Sequence, residues 1–126
     1  CIIFFNYTKN YLNNPKNYYG YRDSLNYVGN RIAIGAPYNG NGNSGHVRIY
    51  DWDGNSWNQS GLDIDSESSG DQFGKSTSIS SDGNVVCIGA LYNDGNGNDA
   101  GHVRVYENIN GSWVQIGQDI DGAIAN

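Results

Sequence analysis

The sequence has few basic residues and no long hydrophobic run. Seven Lys and Arg stand against thirteen Asp and Glu, the net charge is −6, and no Lys/Arg cluster occurs. Nucleic-acid binding needs a basic patch, so we expect no nucleic-acid partner. The longest apolar run, residues 1–5, is far below the roughly 20 residues that span a bilayer, so we expect no membrane span. With neither a start methionine nor a signal peptide, the sequence suggests a processed or partial chain.

Cysteines and the common catalytic motifs are also scarce. Cys1 and Cys87 are too few for a disulfide scaffold, although one bridge between them remains open. The sequence contains no Gly-x-Ser-x-Gly, His-Glu-x-x-His or P-loop motif. The two histidines, His46 and His102, occupy the same position of the repeat described below, which favours a role in packing or hydrogen bonding. We expect no enzymatic activity.

Glycine and asparagine are abundant, with 18 and 19 residues in a chain of 126. Glycine costs a helix interior roughly 1 kcal/mol and asparagine prefers turns, so this composition argues against a helical bundle. Ten tyrosines, three tryptophans and three phenylalanines supply apolar bulk of the kind that strands favour. The composition predicts an all-β, turn-rich domain of the extracellular type.

An internal repeat organises the chain. Residues 18–38 align without gaps on residues 72–92, and residues 45–65 align on residues 101–121, with 20 identities in 42 positions. The offset grows from 54 to 56 in an Asn/Gly loop, where surface loops tolerate insertion. Each copy therefore corresponds to one structural unit of about 54 residues.

Each unit is predicted to form four short antiparallel strands. In the second copy they run over residues 74–80, 85–90, 101–107 and 113–120, with tight turns at Asp82-Gly83 and Asn110-Gly111. Four strands in a unit of this length are typical of a propeller blade.

The residues of both copies resemble the FG-GAP repeat of bacterial proteins. The resemblance rests on Phe73-Gly74, on Gly89-Ala90-Leu91 and on the Gly-x-Val-x-Val-Tyr pattern of residues 101–106. The first copy has Tyr19-Gly20, an intact Gly35-Ala36-Pro37 and residues 45–50 at these positions. The resemblance implies β-propeller blades of the kind seen in secreted bacterial proteins and in integrin α-subunit heads.

The chain is predicted to be an incomplete propeller. Residues 1–17 form an N-terminal strand and linker, residues 18–66 the first blade and residues 67–126 the second. Propellers need about four to eight blades, so two blades and a spare strand predict completion by oligomerisation. The N-terminal strand is the candidate assembly interface, through Ile2, Ile3, Phe4, Phe5 and Tyr7.

One loop and two aromatic positions are candidate ligand sites. The loop of residues 93–100 loosely resembles a calcium loop without its bidentate Glu, and it offers Asp94, Asn96, Asn98 and Asp99; an Asn/Gly loop that accepts left-handed backbone is the simpler interpretation. Its counterpart, residues 39–44, has no carboxylate. Otherwise we expect no cofactor. An aromatic and an amide recur in each copy and are candidate sugar-binding residues, or else blade core: Trp57, Gln59, Trp113 and Gln115.

Three sequons, at Asn6, Asn58 and Asn110, allow N-glycosylation if the source glycosylates. They do not occupy equivalent repeat positions, so they carry no structural argument.

Together these features predict a non-catalytic structural or adhesion protein, extracellular or at the cell surface, that self-assembles head-to-tail into a fibre or ring. Its partners would be other copies of itself, and a glycan or a cell-surface protein. The alternatives are a carbohydrate-binding lectin that forms a closed oligomeric propeller, and a fragment of a longer multi-blade adhesin.

Overall fold

The computed structural model describes residues 19–123, and the chain there consists of strands and connecting turns. The strands are, in chain order, β1 Arg22–Leu25, β2 Arg31–Ala36, β3 His46–Trp52, β4 Trp57–Gln59, β5 Ile64–Asp65, β6 Phe73–Ile79, β7 Val85–Ala90, β8 His102–Ile109, β9 Ser112–Gln115 and β10 Ile120–Asp121. Between residues 19 and 123 no helix is long and apolar enough to cross a bilayer. The all-β prediction is confirmed.

The strands form two antiparallel sheets that follow each other along the chain. In the first sheet the order is β1-β2-β3-β4, and β5 also pairs with β3. In the second sheet the order is β6-β7-β8-β10, and β9 also pairs with β8. The sequence repeat is thus a structural repeat, since His46 pairs with Ala36 in the first sheet as His102 pairs with Ala90 in the second.

The fourth strand of each unit is split, and the prediction of one continuous strand over residues 113–120 is wrong. Both β9 and β10 pair with β8, as β4 and β5 both pair with β3. The break contains Gly61 in the first copy and Gly117 in the second, with φ of 75° and 74°. A residue with such a left-handed φ interrupts the extended backbone, so the chain turns before it pairs again.

The turn predicted at Asn110-Gly111 is present. Asn110 and Gly111 both have positive φ, 53° and 87°, as the two-residue turn of a tight hairpin requires. Both Asn/Gly loops also contain left-handed residues, including Asn43 in the first and Asp99 in the second.

The hydrophobic core lies between the two sheets. Because side chains alternate along a strand, each sheet sends one set of residues toward the other. The first sheet contributes Ala33, Val47, Ile49 and Ile64, and the second contributes Phe73, Val86, Ile88, Ala90 and Tyr106, with Trp113 packed at the edge. Phe73 is completely buried and is among the largest side chains of this core.

Two glycines allow the sheets to approach closely. A Cβ added to Gly35 would lie 2.1 Å from the carbonyl oxygen of Gly74, and Gly74 itself has φ of 87°. The Gly-Ala-Pro segment of the first copy therefore lies against the Phe-Gly segment of the second. These motifs are contacts between neighbouring units.

The candidate assembly residues Ile2, Ile3, Phe4, Phe5 and Tyr7, together with Cys1 and Asn6, lie outside the described residues.

Candidate functional site

Two features of the second sheet could carry a function: its outer face and a charged cluster on its inner side. The outer face is the side turned away from the first sheet; by strand alternation it comprises Cys87, Gly89, Val103, Val105 and Ile120.

The outer face is apolar and only partly covered. Ile120 is 60% exposed, whereas its repeat counterpart Ile64 is 7% exposed. Val103 and Val105 are half-buried, and their counterparts Val47 and Ile49 are almost completely buried. In the first sheet this set of residues is buried beneath the second sheet. In the part of the chain that the structure describes, no third sheet covers the corresponding residues of the second sheet.

Cys87 belongs to this outer face. Its thiol is free and half-buried, and burial raises its pKa. Its counterpart Ala33 is completely buried in the core between the sheets. Although the matching position of the first copy belongs to the core, Cys87 does not, so an interpretation of this cysteine as a buried core residue is wrong.

The charged cluster centres on Arg104 of β8. Its Nε donates to Asp119 Oδ1 at 2.7 Å and its Nη2 donates to Asp119 Oδ2 at 2.6 Å, a bidentate pair. Gln115 Nε2 donates to the same carboxylate at 2.7 Å. The planar guanidinium matches the carboxylate geometry, which fixes both side chains.

Glu67, from the connection between the sheets, joins this cluster. Arg104 Nη2 also donates to Glu67 Oε2 at 2.5 Å, and the buried Asn93 donates to Glu67 Oε1 at 3.0 Å. Asn93 also donates to Asp71 Oδ2 at 3.0 Å. Arg104 thus ties the inter-sheet connection to the second sheet.

Both carboxylates of the cluster are held ionised. Hydrogen bonding from Arg104 lowers the pKa of Asp119 to about 2, and the same donor lowers the pKa of Glu67. The carboxylates in turn raise the pKa of Arg104. At neutral pH the cluster therefore has two negative carboxylates and one positive guanidinium.

His102 lies beside this cluster. Its side chain is 1% exposed, and Nδ1 is 3.7 Å from Asp119 Oδ2, too far for a hydrogen bond. Among the residues from 19 to 123, neither ring nitrogen of His102 has a hydrogen-bond partner. The ring packs edge-on against Phe73 at 6.4 Å. This ring contact confirms the predicted packing role.

The first sheet repeats the arrangement. Arg48 makes the same bidentate pair with Asp63, at 2.8 Å for both bonds, and Gln59 donates to Asp63 at 2.7 Å. Burial and Arg48 lower the pKa of His46. The second acidic residue near this histidine, after Asp63, is Asp65 of β5, whereas in the second sheet it is Glu67 of the connection.

The candidate sugar-binding residues are engaged inside the chain. Gln59 and Gln115 are bound to the aspartates just described. Trp113 Nε1 donates to the Ser60 carbonyl at 2.9 Å, and the Arg31 guanidinium lies over the Trp113 ring at 5.7 Å. Trp113 also lines a groove of about 600 Å³ between the sheets, whereas Trp57 packs against Trp52.

The candidate calcium loop is held by its own hydrogen bonds. Asp94 Oδ1 accepts from the Asp99 backbone N–H at 2.7 Å, Asn98 donates to Asp99, and Asn96 donates to the Gly122 carbonyl. Calcium binding there stays a prediction. The sequons at Asn58 and Asn110 lie in exposed hairpins, where Asn58 donates to Asp53 at 2.7 Å.

Sequence reasoning missed Glu67, Asp63 and Asp119. The signal that could have found the two aspartates is their repetition in register with His-Val-Arg: both copies end in Asp-Ile-Asp. Glu67 has no repeat counterpart among the aligned residues, so only the three-dimensional structure reveals its contact with Arg104.

Comparison with known proteins gave a match to a family but not to a curated protein. No curated protein matches the chain. A family model described as FG-GAP repeat matches residues 64–106, a span that runs from β5 through the connection to β8 and includes Phe73-Gly74 and Gly89-Ala90. The match confirms the resemblance found in the sequence for residues 64–106, which are similar to an FG-GAP repeat.

Proposed function

We propose that the chain is a non-catalytic structural or adhesion module, extracellular or at the cell surface, whose sheets serve as propeller blades and associate head-to-tail with further copies. The observation that carries the proposal is the outer face of the second sheet. It exposes the repeat counterparts of the residues that the first sheet buries against the second. A second copy could therefore pack on this face in the way that the two sheets pack within one chain.

The burial difference supports this directly. Ile64 and Ile120 occupy the same repeat position, yet one is 7% and the other 60% exposed. Burying an exposed aliphatic side chain contributes about 1.5–3 kcal/mol. A third blade on the outer face would gain this stabilisation at several positions at once.

The occupant we propose is the N-terminal end of a second copy. Tyr19-Gly20 stands where Phe73-Gly74 stands in the second unit, and Gly20 already has φ of 77°, close to the 87° of Gly74. A Cβ on Gly20 would meet nothing within 4 Å, whereas a Cβ on Gly74 would meet the neighbouring sheet. Gly20 therefore has the conformation of an inter-blade glycine without an inter-blade contact in the described residues. The apolar segment with Ile3 and Phe4 would accompany it.

Self-association as a function of concentration tests the proposal. Sedimentation velocity and negative-stain microscopy should show rings or fibres of the unmodified protein. Ile120→Lys places a charge on the outer face at an exposed position, so the chain should fold and remain monomeric. Leu62→Ser is the matched control, because Leu62 is 86% exposed and lies outside that face. A monomeric unmodified protein, or assembly that survives Ile120→Lys, would contradict the proposal.

A lectin is the second candidate function, and the groove beside Trp113 favours it. The groove is also lined by Tyr106, Asp63 and Asp65, a combination of aromatic rings and carboxylates that suits sugar recognition. Glycan-array binding that is lost in Trp113→Phe but retained in Trp52→Phe would support this function. A third proposal, that the chain is a piece of a longer multi-blade adhesin, predicts monomers that bind a separately produced FG-GAP blade.

A further inference from the structure

The imidazole of His102 is a buried polar group of the second sheet whose two nitrogens both lack a hydrogen-bond partner among the described residues. A buried nitrogen usually has a hydrogen-bond donor or acceptor, and an exception in a native fold calls for an ion or another bound group. In the part of the chain that the structure describes, both His102 nitrogens lack a hydrogen-bond partner while the side chain is 1% exposed.

Two carboxylates face this ring. One ligand atom each from Glu67, His102 and Asp119 lies within 4.8 Å of the others, and the His102–Asp119 pair is 3.7 Å apart. Ligand atoms of a tetrahedral zinc ion, bound at about 2.1 Å, are roughly 3.4 Å from one another. The His102–Asp119 distance is close to that value. The Glu67 side chain is 45% exposed and can move the remaining distance toward the other two ligand atoms.

The ligand set selects the kind of metal. One imidazole nitrogen and two carboxylate oxygens suit Zn²⁺, whereas Ca²⁺ and Mg²⁺ take oxygen ligands. We propose that Glu67, His102 and Asp119 form a divalent transition-metal site, best suited to Zn²⁺, which links the inter-sheet connection to the second sheet.

Arg104 decides how strong this site can be. Its guanidinium already donates to both carboxylates, so it would orient them as an outer-shell hydrogen-bond donor. Each carboxylate oxygen has a second lone pair that a metal can use. The positive charge of Arg104 opposes the metal ion, however, so the site should bind more weakly than one with two free carboxylates.

Zinc titration into the metal-free full chain tests the site. We expect saturable binding and a rise in melting temperature that EDTA reverses. Glu67→Gln should remove one equivalent of zinc and weaken binding at this site at least tenfold, and its half-exposed position makes the variant compatible with folding. Asp23→Asn, which changes another exposed carboxylate, on β1, is the matched control and should bind as the unmodified chain does.

A spectroscopic readout assigns the ligand. The chain has only two histidines, so imidazole ¹⁵N resonances report on His102 and His46 separately. Zinc should shift the His102 resonances, and Co²⁺ should produce the visible absorption of a four-coordinate site that disappears in Glu67→Gln. Zinc binding that Glu67→Gln leaves unchanged, or a zinc-induced shift confined to His46, would overturn the proposal.

Discussion

The glycine at the inter-sheet contact provides the sharpest test of how the units stack. Gly35 and Gly89 occupy the same repeat position and are both strand residues without positive φ. A Cβ on Gly35 would meet the carbonyl oxygen of Gly74 at 2.1 Å, which is backbone of the other sheet. A Cβ on Gly89 would meet the Ser76 Oγ at 2.4 Å, the end of a side chain that can rotate away.

The two alanine variants should therefore differ strongly in stability. Ordinary contact begins at 3.4 Å, so Gly35→Ala must separate the sheets locally by 3.4 minus 2.1, or 1.3 Å. Overpacking of this kind costs about 1–3 kcal/mol, and we expect about 2 kcal/mol. That cost lowers the melting temperature by roughly 8 °C in a domain of this size. Gly89→Ala should stay within about 0.5 kcal/mol, because alanine loses less backbone entropy than glycine on folding and offsets the Ser76 rotation.

Urea denaturation at a concentration below that of self-association measures both values. Gly89→Ala should in addition weaken self-association, because its Cβ would project into the outer face that a second copy covers. Equal loss of stability in the two variants would refute the role assigned to the Gly35–Gly74 contact. A stable Gly89→Ala variant that assembles normally would refute only the proposal that the Gly35–Gly74 contact is repeated between chains.

Three further substitutions test the core, the inter-sheet hydrogen bond of Trp113 and the Arg31–Asp51 ion pair within the first sheet. Phe73→Ala removes the completely buried ring and should cost about 3–5 kcal/mol in urea denaturation. Trp113→Phe keeps an aromatic ring, although a smaller one, and removes the hydrogen bond to Ser60, so the loss should be about 1 kcal/mol, and a larger loss would indicate a packing defect. The pKa of Asp51 lies below its ordinary 3.8 because Arg31 donates to this carboxylate. The ion pair therefore stabilises the folded state fully above about pH 4, and this contribution is lost as the pH falls through the lowered pKa. Asp51→Asn should therefore cost about 1 kcal/mol or less at pH 7, given partial solvent screening, and reduce the loss of stability between pH 4 and pH 2 in thermal denaturation.

Local sequence patterns predicted most of the strands and turns. Alternation of apolar residues identified β8, and an apolar run after the Asp82-Gly83 turn identified β7. The Asn110-Gly111 pair identified the hairpin between β8 and β9. These signals depend only on neighbouring residues. The split of the fourth strand escaped this reasoning. Gly117 was visible in the sequence, but its left-handed φ, which interrupts the strand, is a property of the folded backbone.

The sequence by itself determined that the chain is a tandem of two all-β units that resemble the FG-GAP repeat, since repetition and periodicity are properties of residue order. Only the tertiary structure showed why the Phe-Gly and Gly-Ala segments recur: Gly35 of one unit lies against Gly74 of the next. It alone brought Glu67 to Arg104 and left His102 buried beside Asp119. These contacts join residues far apart in the chain, and their partners depend on how one sheet packs on the other, which residue order within a single unit does not specify.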